Sequence, residues 1–112
     1  MILVDTSAWI DHLRRRDDLL SAWLAAGVVL CHPFIIGELA CGSLPEPDRI
    51  LGRLADLPQA PVAPHADTLA FVIRQQLGGR GIGWIDMHLL ASARLAGRAT
   101  LYTHDKRLRA AA

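Results

Sequence analysis

The sequence predicts an α/β domain with a mostly parallel central sheet, and three observations predict it. Short apolar runs of strand formers alternate with amphipathic helical stretches, no hairpin signal joins two of the runs, and the first and last runs each end on an aspartate. In open parallel sheets ligands bind beyond the carboxyl ends of the strands, which is where both aspartates fall. At 112 residues the chain is one domain's worth, residues 1–112, and too short for two independent cores.

MILV is a continuous apolar run, as expected of a strand buried on both faces, and it stops at Asp5. Thr6 and Ser7 are good N-caps for the helix AWIDHLRRR, which sets Trp9, Ile10 and Leu13 at helical spacing and leaves Asp11, Arg14 and Arg15 for solvent. Asp17 and Asp18 suit the start of a second helix, LLSAWLAA, closed by Gly27. VVLCH reads as the second strand; Pro33 then takes a first helical position and FIIGELACG continues. Prolines 45, 47, 58, 61 and 64 punctuate one helix, DRILGRLADL, and an extended connection, APVAP. HADTLAFVIRQQL carries Leu69, Val72, Ile73 and Leu77 on one stripe and ends at GGRG. WIDMHLLASARLAG forms another helix closed by Gly97, ATLYTHD is the last strand, and KRLRAAA starts a last helix.

Hydrophobic residues make up 52% of the chain and charged residues 21%, more apolar than an average soluble domain, so apolar surface is expected to be hidden against a partner. No apolar run approaches the ~20 residues of a membrane-spanning helix, and MILV lacks the length and basic flank of a signal peptide. A cytoplasmic protein with no membrane contact is expected. Cys31 and Cys41 have no zinc-site spacing and read as small core residues. The net charge of +1 argues neither for nor against nucleic acid. Arginine supplies nearly all the positive charge, with Lys106 the only lysine.

Four carboxylates stand out. Asp5 reads either as a helix cap or as one wall of a site, and Thr6 and Ser7 can take over the capping. Asp105, followed by KRLRAAA, equally suits a cap of the last helix. Glu38 is the one charged position on PFIIGELACG, a helix otherwise apolar or small all round and therefore expected to be buried. An unpartnered carboxylate there costs several kcal/mol, so it must be paired, protonated, metal-bound or on a solvated rim, and no basic residue lies within one helical turn. Asp86 falls in the first turn of WIDMHLLASARL, either as a partner of the helix dipole or as part of a site among apolar neighbours. A hard cation is the one cause common to all four: Mg²⁺ and Mn²⁺ take carboxylate oxygens and serve phosphate chemistry.

Taken together, MILVDTSAWIDHL, FIIGELACGSL, GIGWIDMHLLASARLAG and LYTHDKRL resemble the four motif blocks of PIN-domain ribonucleases, in particular the VapC toxins of toxin–antitoxin pairs, in the right order over nearly the whole chain. The resemblance implies a three-layer α/β/α PIN-like domain and an acidic site for Mg²⁺ or Mn²⁺. It implies cleavage of single-stranded or looped RNA by in-line attack of metal-activated water, leaving a 5′-phosphate. It assigns Asp5, Glu38, Asp86 and Asp105 to the catalytic and metal-binding quartet, and places Thr6, Ser7 and Thr103 where they orient carboxylates or water. A cognate VapB-like antitoxin whose C-terminal segment covers the site, and a homodimer, are implied as well. Relatives commonly continue past the last helix into another short segment, whereas this chain stops at RLRAAA, so truncation at the C-terminal end is an expectation beside a natural terminus.

The remaining features carry weaker expectations. Arg14, Arg15 and Arg16 before Asp17 and Asp18 read as a solvated helix end. Arg80, in the open GGRGIG loop, is a candidate for RNA phosphate contact, with a plain helix C-cap and connection as the alternative. His88, two residues after Asp86, and His104, one before Asp105, could touch RNA or orient a carboxylate, but they stay outside the metal set because hard cations favour oxygen. The three tryptophans read as core or interface packing rather than base-stacking platforms. Against the ribonuclease stands a non-catalytic binding module on the same scaffold. A receiver-like phosphoacceptor domain is disfavoured, because no adjacent acidic pair follows the first strand and no lysine ends a late one.

Overall fold

Leu3 and Val4 point to opposite faces of their strand, and neither has any exposure, so helices must cover the sheet on both sides. A computed structural model describing all 112 residues shows how. In chain order the elements are β1 (Ile2–Val4), α1 (Thr6–Arg14), α2 (Asp18–Ala26), β2 (Val29–Leu30), α3 (Pro33–Ala40), α4 (Pro47–Asp56), α5 (His65–Arg74), α6 (Trp84–Leu95), β3 (Thr100–Tyr102) and α7 (Lys106–Ala111). The sheet order is β2-β1-β3 with both pairings parallel, Leu3 standing beside Leu30 on one side and Leu101 on the other. All three strands therefore end at one edge, and α1, α3 and α7 begin there from caps at Asp5, His32 and Asp105.

Two apolar clusters hold the layers together. The larger gathers Leu3, Val4, Trp9, Leu20, Ile35 and Leu89 between the sheet and its helices; the smaller joins Phe71, Met87, Leu90 and Leu108. Helix α6 serves both, which is why Met87 to Ala93 are buried without interruption. No helix is long and apolar enough to cross a membrane.

Several expectations are corrected. On α1 only Ala8 and Trp9 are buried, while Ile10 and Leu13 stay 36% and 37% exposed, because nothing in this chain covers that side of the helix. Helix α5 buries Thr68 and Phe71, not the stripe of Leu69 and Ile73; Ile73 is 69% exposed, and Leu77 is buried only beyond the helix end. Helix α3 is not buried all round: Ile35 and Leu39 face the core, but Pro33, Gly37 and Ala40 are exposed. Of the two cysteines, Cys31 is core and Cys41 is exposed. Of VVLCH, which the sequence presents as one strand, only Val29 and Leu30 pair with β1. Cys31 bridges instead to Gln59 in the proline-rich connection.

His32 joins two of these layers. Its ring is fully buried, and its Nδ1 accepts from Phe34 N–H at 3.0 Å, capping α3. The proton of the neutral ring therefore sits on Nε2 and is donated to Ser92 Oγ on α6, 3.0 Å away. Burial, helped by the charge of His88, holds its pKa at about 4, against 6.5 when unfolded. Between those values the unfolded chain binds the extra proton, so this group's stability is present above pH 6.5 and lost as pH falls towards 4. From pH 7.5 to 4.5 the loss through His32 is expected to be about 2–3 kcal/mol. His32→Asn, whose Oδ1 replaces the capping acceptor, is expected to flatten that part of the slope in urea denaturation curves recorded at the two pH values.

Candidate active site

Asp5 ends β1 and is itself the N-cap of α1, its Oδ1 accepting from Ala8 N–H at 3.0 Å and from Ser7 Oγ at 2.7 Å. The expectation that Thr6 and Ser7 would relieve it of capping is corrected: the helix already begins at Thr6, so neither residue is placed to cap it. Their hydroxyls serve the acids instead. Thr6 Oγ1 donates to Glu38 Oε1 at 2.6 Å, fastening α1 to α3, and Ser7 donates to Asp5. On the other oxygen of Asp5, Thr103 Oγ1 donates at 2.5 Å from the end of β3. Asp5 is almost completely buried, yet it keeps acceptor capacity on Oδ2 towards the sheet edge.

Asp105 caps α7, accepting from the N–H groups of Arg107 and Leu108 at 2.9 and 3.0 Å, while its own N–H donates to Thr103 Oγ1. It is exposed, and Glu38 is half-buried on the outer side of α3, the solvated rim among the alternatives read from the sequence. Asp86 is half-buried in the first turn of α6, whose N-cap is Gly83 with no capping side chain. Free backbone donors and the helix dipole favour its charge. Burial first, and then the charges of Asp5, Glu38 and Asp105, outweigh them and push its pKa up to about 6. The fold thus brings Asp5, Glu38 and Asp105 within electrostatic reach of Asp86. None meets a basic side chain, since the ion pairs of the chain are Arg16–Asp18, Arg49–Glu46 and His104–Asp11.

These donors fit a hard divalent cation: they are carboxylate oxygens steadied by hydroxyls, without thiolate, and their mutual repulsion calls for positive charge. No three His, Cys, Asp or Glu side chains close into a ready-made cage. Thr6 ties Glu38 to α1, while Ser7 and Thr103 hold the two oxygens of Asp5.

Of the residues that brace this edge, the sequence pointed to His104, as one able to orient a carboxylate, and missed Tyr102, Arg107 and Arg109. The Tyr102 hydroxyl donates to Asp17 Oδ2 at 2.6 Å, which lowers the carboxyl and, with burial, raises the phenol to about 12. The His104 ring bonds both Tyr102 and Asp11, and the backbone N–H of His104 donates to Ser7 Oγ at 3.1 Å. Arg109 donates to the Thr103 carbonyl at 2.9 Å. Arg107 lies against Gly81, where a Cβ would come within 2.9 Å of its guanidinium, so the loop carrying exposed Arg80 rests on the first turn of α7. Among those missed, His32 was the legible one, standing just before a proline at a helix start.

A family model described as PIN domain matches residues 2–112. The chain belongs to the PIN-domain family. Over 111 residues, 99% of this chain and 90% of the relative, this PIN domain is 50% identical to Ribonuclease VapC32 of two Mycobacterium tuberculosis strains. The crystal structure of PAE2754 from Pyrobaculum aerophilum shares the fold, with a TM-score of 0.65 over 98% of this chain and 83% of that one, at 18% identity. The motif resemblance is thereby borne out as kinship. PIN ribonucleases generally use divalent metal ions.

Asp86 offers a direct check on the electrostatics of this PIN domain. Its folded pKa lies above the usual 3.8, so its contribution to stability falls as pH rises through the window from 3.8 to about 6, and the penalty persists above it. Asp86→Asn is expected to raise the melting temperature of the EDTA-treated protein by about 2–5 °C at pH 7.5 and to leave it little changed at pH 4. Differential scanning calorimetry at both pH values decides; a lower melting temperature at pH 7.5 contradicts it.

Proposed function

We propose that this PIN domain is a VapC-type toxin, an endoribonuclease that hydrolyses phosphodiester bonds in RNA with Mg²⁺, or Mn²⁺ in its place. In this reading it acts in the cytoplasm and is held in check by a cognate VapB-like antitoxin. The observation that carries the proposal is the set of four acids at one sheet edge without a basic partner, in a chain half identical to a named ribonuclease. Asp5, Glu38, Asp86 and Asp105 would hold the cation, and Thr6, Ser7 and Thr103 keep Glu38 and Asp5 aimed by the hydrogen bonds described. When bound, the cation supplies acidity to a coordinated water and charge to offset that developing on the phosphoryl oxygens. Arg80, with Arg107 beside its loop, supplies cationic contact for the RNA backbone. Purified protein with total RNA and Mg²⁺ is expected to yield EDTA-sensitive fragments, with Asp5→Asn or Asp86→Asn slowing cleavage about 100-fold or more. Equal cleavage by both variants assigns the activity to a contaminant.

Two surfaces support the partners. Between α1, α2 and α4 runs an apolar groove of ≈ 450 Å³ with Leu13, Leu24 and Ile50 in its walls and Arg49 and Arg53 at its rim. Trp9 also lines it, 4% exposed, and its indole N–H is buried without an acceptor. An orphan donor of this kind costs about 1–3 kcal/mol. An acidic amphipathic antitoxin helix fits this groove, and a basic side chain from another part of the antitoxin would fit the acids. The exposed Leu69 and Ile73 on α5 offer an apolar stripe for a homodimer. Leu13→Glu is expected to weaken a co-expressed antitoxin complex at least about tenfold, by calorimetric titration, while RNA cleavage by the free toxin is retained.

A further inference from the structure

The hydrogen bonds on Asp5 leave it one way to meet a cation. Oδ1 takes the Ala8 N–H at 3.0 Å and the Ser7 hydroxyl at 2.7 Å, which fills it, while Oδ2 takes only the Thr103 hydroxyl at 2.5 Å. One lone pair of Oδ2 is left over. Where it points depends on the two hydroxyls, and each of these is itself committed. The backbone N–H of His104 donates to Ser7 Oγ at 3.1 Å, and that of Asp105 donates to Thr103 Oγ1 at 3.0 Å. A hydroxyl that accepts such a bond donates its own proton more strongly on the other side. Two consecutive amides of the turn after β3 are thus relayed to the two oxygens of one carboxylate.

The two relays are held differently. Asp105 is fixed by its own capping bonds to α7, and Arg109 holds the Thr103 carbonyl. His104 has no such tie. It lies between β3 and α7, outside both, and is held by its ring, which meets the Tyr102 hydroxyl at 3.2 Å and Asp11 Oδ2 at 2.5 Å. The Tyr102 hydroxyl in turn donates to Asp17 Oδ2 at 2.6 Å, its ring meets Trp23 edge-on at 4.9 Å, and its carbonyl accepts the Asp5 N–H at 3.1 Å. Capping of α2 does not account for the Asp17–Tyr102 bond, because Asp17 Oδ1 alone receives both the Leu19 and the Leu20 N–H. The second oxygen of Asp17 serves only to place Tyr102.

We infer that Tyr102 is a positioning residue for the cation site: anchored on Asp17, its hydroxyl holds His104 so that Ser7 turns its proton to Oδ1 of Asp5 and leaves Oδ2 as the one oxygen for the metal. The inference rests on the ribonuclease reading for the presence of the cation and adds to it two residues, Tyr102 and Asp17, that touch neither metal nor RNA. Partners that orient a metal's ligands alter its affinity by about 10–100-fold, and Tyr102 stands further out than these, so a smaller change of about fivefold is expected.

The readout is Mn²⁺ affinity, measured by calorimetric titration without RNA. Tyr102→Phe keeps the ring against Trp23 and removes only the hydroxyl; it is expected to weaken Mn²⁺ binding about fivefold and to lower kcat for RNA cleavage similarly, with KM for RNA unchanged. Asp17→Ser, which keeps a cap for α2 and loses the oxygen facing Tyr102, is expected to match it. Ser7→Ala is expected to weaken Mn²⁺ binding about tenfold, and adding Tyr102→Phe to it to change nothing further beyond about twofold. Phe71→Leu, in the second apolar cluster, is expected to lower the melting temperature and leave Mn²⁺ affinity as in wild type. Wild-type affinity in Tyr102→Phe overturns the inference, and so does a full further loss on the Ser7→Ala background or an equal loss in Phe71→Leu. If wild type binds and cleaves and Tyr102→Phe does both as well, the positioning role falls alone. If Mn²⁺ binding depends on Tyr102 in this way but RNA stays uncut with Mg²⁺, the positioning role stands and the ribonuclease reading falls.

Discussion

The Asp5 carboxylate is the joint on which the rest of this structure depends. It ends the central strand, caps the first helix through Ala8, and takes a hydrogen bond from Thr103 at the end of β3, so three structural decisions meet in one side chain. A buried carboxylate is tolerated only where hydrogen bonds replace water, and here the backbone and two hydroxyls do so. Since those donors arrive from α1 and from β3, the relative placement of the two neighbouring strands and the start of α1 is set by the same contacts that aim the acid. The sheet adds the second constraint: three parallel strands finish at one edge, so α1 and α7 start there from the carboxylate caps Asp5 and Asp105.

That economy has an electrostatic consequence. Asp86 is pushed up by burial and by three other acids, and no arginine of this chain answers them, although arginines are plentiful. The cations instead stand around the site: Arg107 against Gly81, and Arg109 on the Thr103 carbonyl. An acidic centre with a cationic surround suits a polyanion that must approach a metal-binding group. The braces are layered behind it, Tyr102 on Asp17 and His104 on Asp11, so the turn from β3 into α7 is tied to α1 and to the start of α2.

Much of this was legible along the chain. The parallel sheet followed from apolar runs without hairpin turns, and the acids followed from their odd settings: Asp5 at the end of a buried run, Glu38 alone on an apolar helix. Periodicity failed where the apolar stripe of a helix has no cover within the chain. Ile10 and Leu13 on α1, and Leu69 and Ile73 on α5, have core spacing and surface exposure, because spacing reports that a face is apolar and not what lies against it. Of cap and site wall, the two readings of Asp5, the structure shows the cap, made by Oδ1, while Oδ2 takes the Thr103 hydroxyl.

The sequence by itself determined the strand and helix order, the residue types of the site, and the family to which the motifs point, because these depend on local propensity and on spacing within one element. Only the tertiary structure decided which hydroxyl serves which acid, that Thr6 reaches Glu38 across 32 residues and Thr103 reaches Asp5 across 98, and that His32, Phe34, His88, Trp84 and His65 form one series of rings. Contacts between elements depend on packing distance and helix orientation, and no periodicity along the chain encodes a neighbour that arrives from another layer.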